Sequence, residues 1–345
     1  LPQWSSCDAV LRSRRNPTAG ALGKGLVVAA GIDHRWDAVP RIVKRGLARD
    51  GGQSRVTGGF EGERRLAAPS LLKEAEMSDS ILVEVEDGLA HVTLNRPARL
   101  NAVDFEMGRR WRDVAVELTG DPTVTAILLD AAGPAFCAGG DVVAMSEADP
   151  GDGSAGDAVT AMARVIHEGI LTLVCSSTPI VASVQGAVAG GGLGLMLCAD
   201  YIVASEAARF VSKYANIGLT PDLGVSTLLP AAIGQRRALT MLLQDRSLTA
   251  AEALEWGLVN EVVPADQVAA RAREVADFWQ SGAVVAFGEA KRLVRSGAGR
   301  AFAQNLEDEA QTIGERFGTH DARTRIAAFA AASRTQKSDT RKDLA

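Results

Sequence analysis

The chain has 345 residues, 47% of them hydrophobic, and a formal net charge of −5 at pH 7, enough apolar material for one large domain or two smaller ones. Residues 1–76 hold 13 Lys and Arg against 8 Asp and Glu, and the remainder 24 against 34, so the body is acidic and nucleic acid is not expected as a partner. The four histidines (His34, His91, His167, His320) show no metal-ligand spacing, so no metal site is expected, and no apolar run approaches the ~20 residues of a membrane span.

Residues 1–76 contain 10 glycines and scattered arginines without helix or strand periodicity, the pattern of flexible chain. The first methionine, Met77, directly precedes a clean strand pattern. Residues 1–76 are therefore expected to be a disordered extension or a misassigned start, and the protein to be cytoplasmic. The competing expectation is a transit peptide carrying Arg12, Arg14 and Arg15, with an organelle matrix as destination; Asp33, Asp37, Asp50, Glu61 and Glu63 count against it. Cys137, Cys175 and Cys198 sit in apolar runs and Cys7 does not, which predicts buried free thiols in a reducing compartment.

From residue 77 the pattern becomes regular. Ile81–Glu86 alternates, Asp87-Gly88 turns, and Leu89–Leu94 runs apolar, a hairpin. Helical spacing covers Asp104–Leu118 and Ala158–Val174; Val124–Leu129 and Ile180–Val184 read as buried strands. Gly191–Cys198 is apolar on all sides, which predicts a buried helix, and Tyr201–Ala204 is a further strand. Beyond Gly234 the pattern is nearly all helical: Gln235–Gln244, Ala250–Trp256, Ala265–Trp279, Val284–Val294, Ala301–Arg316 and Asp321–Ala332. The rhythm is that of an α/β core with a helical tail whose apolar faces need a partner.

Two glycine-rich segments punctuate this order: Phe136-Cys137-Ala138-Gly139-Gly140-Asp141, and Gly186-Ala187-Val188-Ala189-Gly190-Gly191-Gly192-Leu193-Gly194. Each follows an apolar run and opens a helical one, so each frees backbone N–H groups at a helix start, and two such donors aimed at one point make an oxyanion hole. Such glycines can also serve only tight turns and packing. A dinucleotide fingerprint fails because Leu195 stands where its third glycine belongs, no Gly-Lys-Ser/Thr phosphate loop follows either segment, and no Gly-x-Ser-x-Gly elbow is present. Asp141 is placed to cap the following helix, and Cys137 reads as core.

The two segments belong to a series. Leu94-Asn95-Arg96-Pro97 with Leu100-Asn101-Ala102, the Phe136–Asp141 segment, Gly186 through Cys198-Ala199-Asp200, Ile217-Gly218-Leu219-Thr220-Pro221-Asp222, and Ala250 through Asn260 together resemble the crotonase, or enoyl-CoA hydratase/isomerase, superfamily, from about Ile81 to Val294. The resemblance implies a crotonase-like ββα spiral core over 77–275, a C-terminal helical region over 276–335 that mediates a homotrimer or hexamer, and a flexible tail over 336–345. It implies an acyl-CoA thioester substrate, with coenzyme A part of the substrate and no separate cofactor. Residue matching puts the N–H groups of Gly140 and Gly191 in the oxyanion hole, with Ala138, Gly139 and Gly190 lining the substrate site. Arg96 or Arg99 is expected near the nucleotide phosphates, with Lys291 reaching in from the C-terminal helices.

The pattern breaks at two positions. Where hydratases of the family carry glutamates, this sequence has Gly194 and Tyr214, and neither can hold and activate water as a carboxylate pair does. Asp222 matches a position where several isomerases of the superfamily carry an acidic residue. Its neighbours Ile217, Leu219, Leu223 and Val225 are apolar, although Pro221-Asp222-Leu223-Gly224 is also a plain turn sequence. The expectation is an enoyl-CoA isomerase with Asp222 as base; Tyr214 either orients the acyl chain, donates a hydrogen bond or packs in the core. A hydratase with a non-standard site and a non-catalytic acyl-CoA-binding subunit are the alternatives.

Overall fold

The computed structural model describes residues 79–147 and 154–342; the expectations for residues 1–76 and for Met77 lie outside them. In chain order the strands are β1 (Ile81–Glu86), β2 (Leu89–Leu94), β3 (Ala126–Ala131), β4 (Ile180–Val184), β5 (Ala187–Ala189), β6 (Tyr201–Ser205), β7 (Arg209–Val211), β8 (Leu248–Thr249) and β9 (Glu261–Val263). The helices are α1 (Phe105–Gly120), α2 (Val142–Glu147), α3 (Ala155–Cys175), α4 (Gly191–Leu197), α5 (Val225–Ile233), α6 (Gln235–Leu243), α7 (Ala250–Trp256), α8 (Val268–Ser281), α9 (Val284–Gly297), α10 (Phe302–Phe317) and α11 (His320–Lys342).

The opening hairpin is antiparallel, from Ile81 opposite Leu94 to Glu86 opposite Leu89. Asp87 and Gly88 both take positive φ, 48° and 82°, as its two-residue turn requires. All later pairings in the main sheet, ordered β1-β2-β3-β4-β6-β9, are parallel. Every residue of β4 is buried, Ser183 included, in keeping with its mostly apolar sequence. A second sheet, β5-β7-β8, stands beside the first. Parallel strands need crossovers, and the crossovers supply α1 and α3, which pack together inside the core: Gly108 and Gly169 let Ile166 and Trp111 approach the facing backbones.

Three expectations change. The helix α3 is long and apolar enough by length and composition to cross a membrane, contrary to the sequence reading, but Ile166, Gly169, Ile170, Leu173 and Val174 are buried in the protein core. Cys175 is disulfide-bonded, so the free buried thiols among the described residues are Cys137 and Cys198. The expected division at 275 falls within α8, whose Val268, Ala272, Val275 and Ala276 cover the main sheet against Leu89, Leu128, Val181 and Val203. That helix belongs to the core because its apolar stripe is the sheet's second cover. Likewise α11 runs through the expected boundary at 335. Beyond α8, Val294, Phe302, Ile313, Phe317 and Phe329 are exposed.

Candidate active site

The two glycine segments meet through backbone hydrogen bonds. The Cys137 amide donates to the Ala187 carbonyl (3.2 Å), and Ala189 donates back to Cys137 (2.9 Å). On its other side the first segment pairs with residues 100–103: Ala138 donates to Leu100, Val103 to Gly139 and Asp141 to Val103, at 2.7–3.0 Å. In this parallel bridge the groups of Gly139 and Asp141 face Val103, so the intervening Gly140 N–H points the other way. Gly191 is the first residue of α4, where helix geometry leaves the amide unpaired. Among the described residues neither amide has a protein acceptor. The backbones are close: a Cβ on Gly139 would stand 3.4 Å from the Gly191 nitrogen.

Both amides border a cavity of about 220 Å³ lined by Ala138, Gly139, Gly140, Gly190, Gly191, Tyr214 and Asp222, with Val103, Phe105, Met145, Val159, Met162, Ile166, Ile217, Leu219 and Leu223 making most of its wall apolar. Asp222 therefore lies beside the oxyanion-type amides: its Oδ1 is 3.7 Å from where a Gly191 Cβ would be. The same oxygen accepts a short hydrogen bond from the Tyr214 hydroxyl. Burial, together with the neighbouring Asp222 carboxylate, pushes the Tyr214 phenol far above its ordinary value, so it remains a neutral donor. Both readings of the Asp222 sequence hold at once. Residues 222–225 form a turn, closed by the Val225 amide on the Asp222 carbonyl (2.9 Å), with Leu223 (φ 47°) and Gly224 (φ 78°) at its centre, and this turn presents the carboxylate to the cavity.

Gly194 sits one helical turn into α4, with Leu223 against it. A Cβ there would overlap the Leu223 carbonyl oxygen. Among the described residues, the polar groups that line the cavity include no second carboxylate beside Asp222 that is free of a structural partner: Asp104 caps α1 through the Met107 amide (2.9 Å), and Asp141 caps α2 through Ala144 (3.1 Å). Burial works against the Asp141 carboxylate, but the Ala144 amide and the Arg96 guanidinium outweigh it and hold the carboxyl below its ordinary value.

The expected coenzyme A cations differ in their surroundings. Arg96 is turned inward, donating to the Ala102 carbonyl and pairing with Asp104 (2.7 Å) and Asp141 (3.1 Å); its guanidinium braces the Gly140 loop. Arg99 stays exposed at the end of the 97–99 turn. Lys291 is buried, with its ammonium on the carbonyls of Leu173 (3.0 Å) and Thr178 (2.7 Å) and on Asp200 (3.0 Å). Its three donors are thus occupied, and burial lowers its pKa; it ties α9 to the core and offers nothing to a phosphate. The Cys137 thiol is fully buried and pushed up to about 12 by burial, which removes it as a nucleophile.

Comparison with known proteins places this geometry. The family model for enoyl-CoA hydratase/isomerase matches residues 84–337. The chain belongs to the enoyl-CoA hydratase/isomerase family. It is 32% identical over 255 residues to a probable enoyl-CoA hydratase of Mycobacterium bovis, covering 73% of this chain and 95% of that one. It is 33% identical to the 1,2-epoxyphenylacetyl-CoA isomerase of Escherichia coli, covering 64% and 83%. Among solved structures, a Mycobacterium abscessus protein of the enoyl-CoA hydratase/isomerase group superposes with a TM-score of 0.69 at 34% identity, over 73% of this chain and 96% of that one. The chain is thus a crotonase-family enzyme, and names of both hydratases and isomerases stand among its relatives.

Two features were not legible in the sequence: the α3 wall of the cavity and one polar residue. Val159, Met162 and Ile166 lie at helical spacing on α3 and line the cavity; the stripe was visible, but not which part of it faces a ligand. His167, on the same helix, accepts a hydrogen bond at Nε2 from the Leu223 amide (3.1 Å). No local pattern marks that contact, which spans 56 positions of sequence.

Proposed function

We propose that this crotonase-family enzyme is an enoyl-CoA isomerase, moving a double bond between the 3 and 2 positions of an acyl-CoA thioester. The observation that carries the reading is that one carboxylate, Asp222, and two unpaired backbone amides, Gly140 and Gly191, border one largely apolar cavity. The thioester carbonyl oxygen is held between the two amides. Asp222 removes a proton from C2; the electrons move into the carbonyl, and the enolate charge grows where the amides are aimed. The same carboxyl then returns the proton at C4 as the double bond forms between C2 and C3. One base suffices, because the proton leaves and returns on one face. Tyr214 holds Oδ1 in place and leaves the other carboxylate oxygen for the transfer. Hydration would need a second acid/base group to hold water, and Gly194 and Tyr214 stand where the family's hydratases carry that pair.

The deciding experiment follows 3-enoyl-CoA isomerisation and C2–H exchange in heavy water with wild type and Asp222→Asn. A fall of about 10²–10⁴-fold in both is expected for loss of a general base. An unchanged Asp222→Asn enzyme, or vigorous water addition to a 2-enoyl-CoA by wild type, overturns the reading; tight acyl-CoA binding without any exchange points to a binding subunit. The exposed apolar side chains of α9–α11 support a homotrimer built through this region, for which light scattering of the pure protein is the check: a monomeric mass refutes it.

A further inference from the structure

Asp222 is aimed by a turn that carries unusual backbone. Leu223, the next residue, has φ 47°, a left-handed conformation that branched and bulky side chains rarely adopt. It is also 3% exposed. Its carbonyl is lodged over Gly194 and its side chain lies against Gly191, 2.7 Å from where that residue's Cβ would be. Its amide cannot be left without an acceptor at that depth. The acceptor comes from outside the turn: His167 Nε2, at 3.1 Å, from α3. The imidazole is exposed while its neighbour Ile166 is buried, so His167 is not there to fill the core.

We propose that His167 is a positioning residue for Asp222, acting through the Leu223 amide; the role rests on the reading of Asp222 as base. An Nε2 that accepts requires the ring proton on Nδ1, so the neutral imidazole with that tautomer is the working form. Leu223 is then fixed on both sides, its N–H by the hydrogen bond to His167 and its carbonyl by packing over Gly194 of α4. The carboxylate one residue upstream has a single direction, toward the cavity and Tyr214. Without the acceptor, the Leu223 amide turns to find water, the turn relaxes, and Asp222 leaves the line to C2. Misplacement of a catalytic group by about 1 Å costs on the order of 10²-fold in rate. The acyl-CoA contacts themselves are untouched.

The test compares His167→Ala, His167→Gln and Asp222→Asn with wild type, using 3-hexenoyl-CoA as probe. The glutamine side-chain oxygen can reach the place of Nε2 and accept as it does. The expected result is a roughly 10- to 100-fold lower kcat for His167→Ala with KM nearly unchanged, and recovery of most of that loss by His167→Gln. Deuterium uptake of the peptide containing residues 221–225, read by mass spectrometry, rises in the alanine variant and not in the glutamine variant. An alanine variant with wild-type kcat, equal losses in both variants, or a change confined to KM overturns the proposal. If Asp222→Asn retains wild-type isomerisation, the base reading falls first and takes this role with it; if Asp222→Asn is inactive while His167→Ala is not, only the role of His167 falls.

Discussion

Gly194 and Leu223 compete for one space. Any Cβ at position 194 would overlap the Leu223 carbonyl oxygen, and would crowd the Leu223 Cβ at 2.9 Å. Under the resemblance that matches Gly194 to a hydratase glutamate, more than a base is missing: the turn carrying Asp222 occupies the room where that side chain would start. The presence of Asp222 at the cavity and the absence of a side chain at 194 form one structural arrangement.

It follows that a glutamate cannot simply be put back. Gly194→Glu is expected to give no hydration of 2-enoyl-CoA and to lose isomerisation, because the Leu223 turn must move. Gly194→Ala is expected to destabilise the protein by about 3 kcal/mol, at the upper end of ordinary overpacking because the obstacle is backbone. Thermal unfolding of the alanine variant and a hydration assay of the glutamate variant are the checks; a glutamate variant that gains hydratase activity refutes the coupling.

Tyr214, the second position where the sequence resemblance puts a hydratase glutamate, donates its phenol hydrogen to Asp222 Oδ1. Tyr214→Phe removes only the oxygen. The carboxylate keeps its turn and loses one of the contacts that fix its rotamer, so kcat is expected to fall by about tenfold, the worth of one hydrogen bond to a charged group, with acyl-CoA affinity little changed. Steady-state kinetics and equilibrium binding of a saturated acyl-CoA separate the two effects. A large loss of affinity with unchanged kcat assigns the phenol to substrate binding instead.

Arg96 offers a sharper distinction between sequence and structure. Its guanidinium is shared by Asp104 and the nearly buried Asp141, next to the Gly140 amide. Arg96→Ala leaves the Asp141 carboxylate buried beside an unpaired loop and is expected to cost about 2–4 kcal/mol, with kcat falling as the Gly140 amide loses its brace. Affinity for free coenzyme A, measured by calorimetry, should hardly change. A selective loss of coenzyme A binding in a fully stable variant restores the phosphate role.

These cases mark what the sequence carried. The Ile81–Leu94 hairpin, Ile180–Val184 and Ala250–Trp256 were legible to the residue, because an Asp-Gly turn, a short Val/Ile-rich run and helical spacing are written in neighbouring positions. The meeting of the two glycine segments beside one cavity was legible because glycines mark backbone that must be approached closely. Strands β5, β7, β8 and β9 are too short, at 2–3 residues, to show an alternation, and Pro230 hid α5 by standing inside it. The destinations of cations were not legible at all. Lys291 finds carbonyls more than 110 positions away, and a lysine facing a phosphate and a lysine facing a buried carbonyl look alike in one dimension.

Acid should weaken the packing of α10 on α9. Asp308 on α10 accepts a two-pronged pair of hydrogen bonds from Arg292 of α9 (2.6 and 3.0 Å) and a further short one from Arg300. The Arg292 guanidinium is only 6% exposed. Arg292, and Arg300 after it, hold the Asp308 carboxyl at about 2, below the ordinary 3.8. A carboxyl depressed by folding contributes its stability above the unfolded value and loses it as pH falls through the folded one. The window is therefore from about pH 4 down to about 2, and the contribution is on the order of 2 kcal/mol. Asp308→Asn abolishes that share of the acid sensitivity, and it also lowers stability at neutral pH because Arg292 and Arg300 each lose a carboxylate partner, Arg292 keeping Glu289. Unfolding free energies measured at intervals from pH 5 to 2 should fall less steeply for the variant than for wild type. Parallel curves for the two proteins would mean that the Arg292–Asp308 pair contributes nothing to holding α10 against α9.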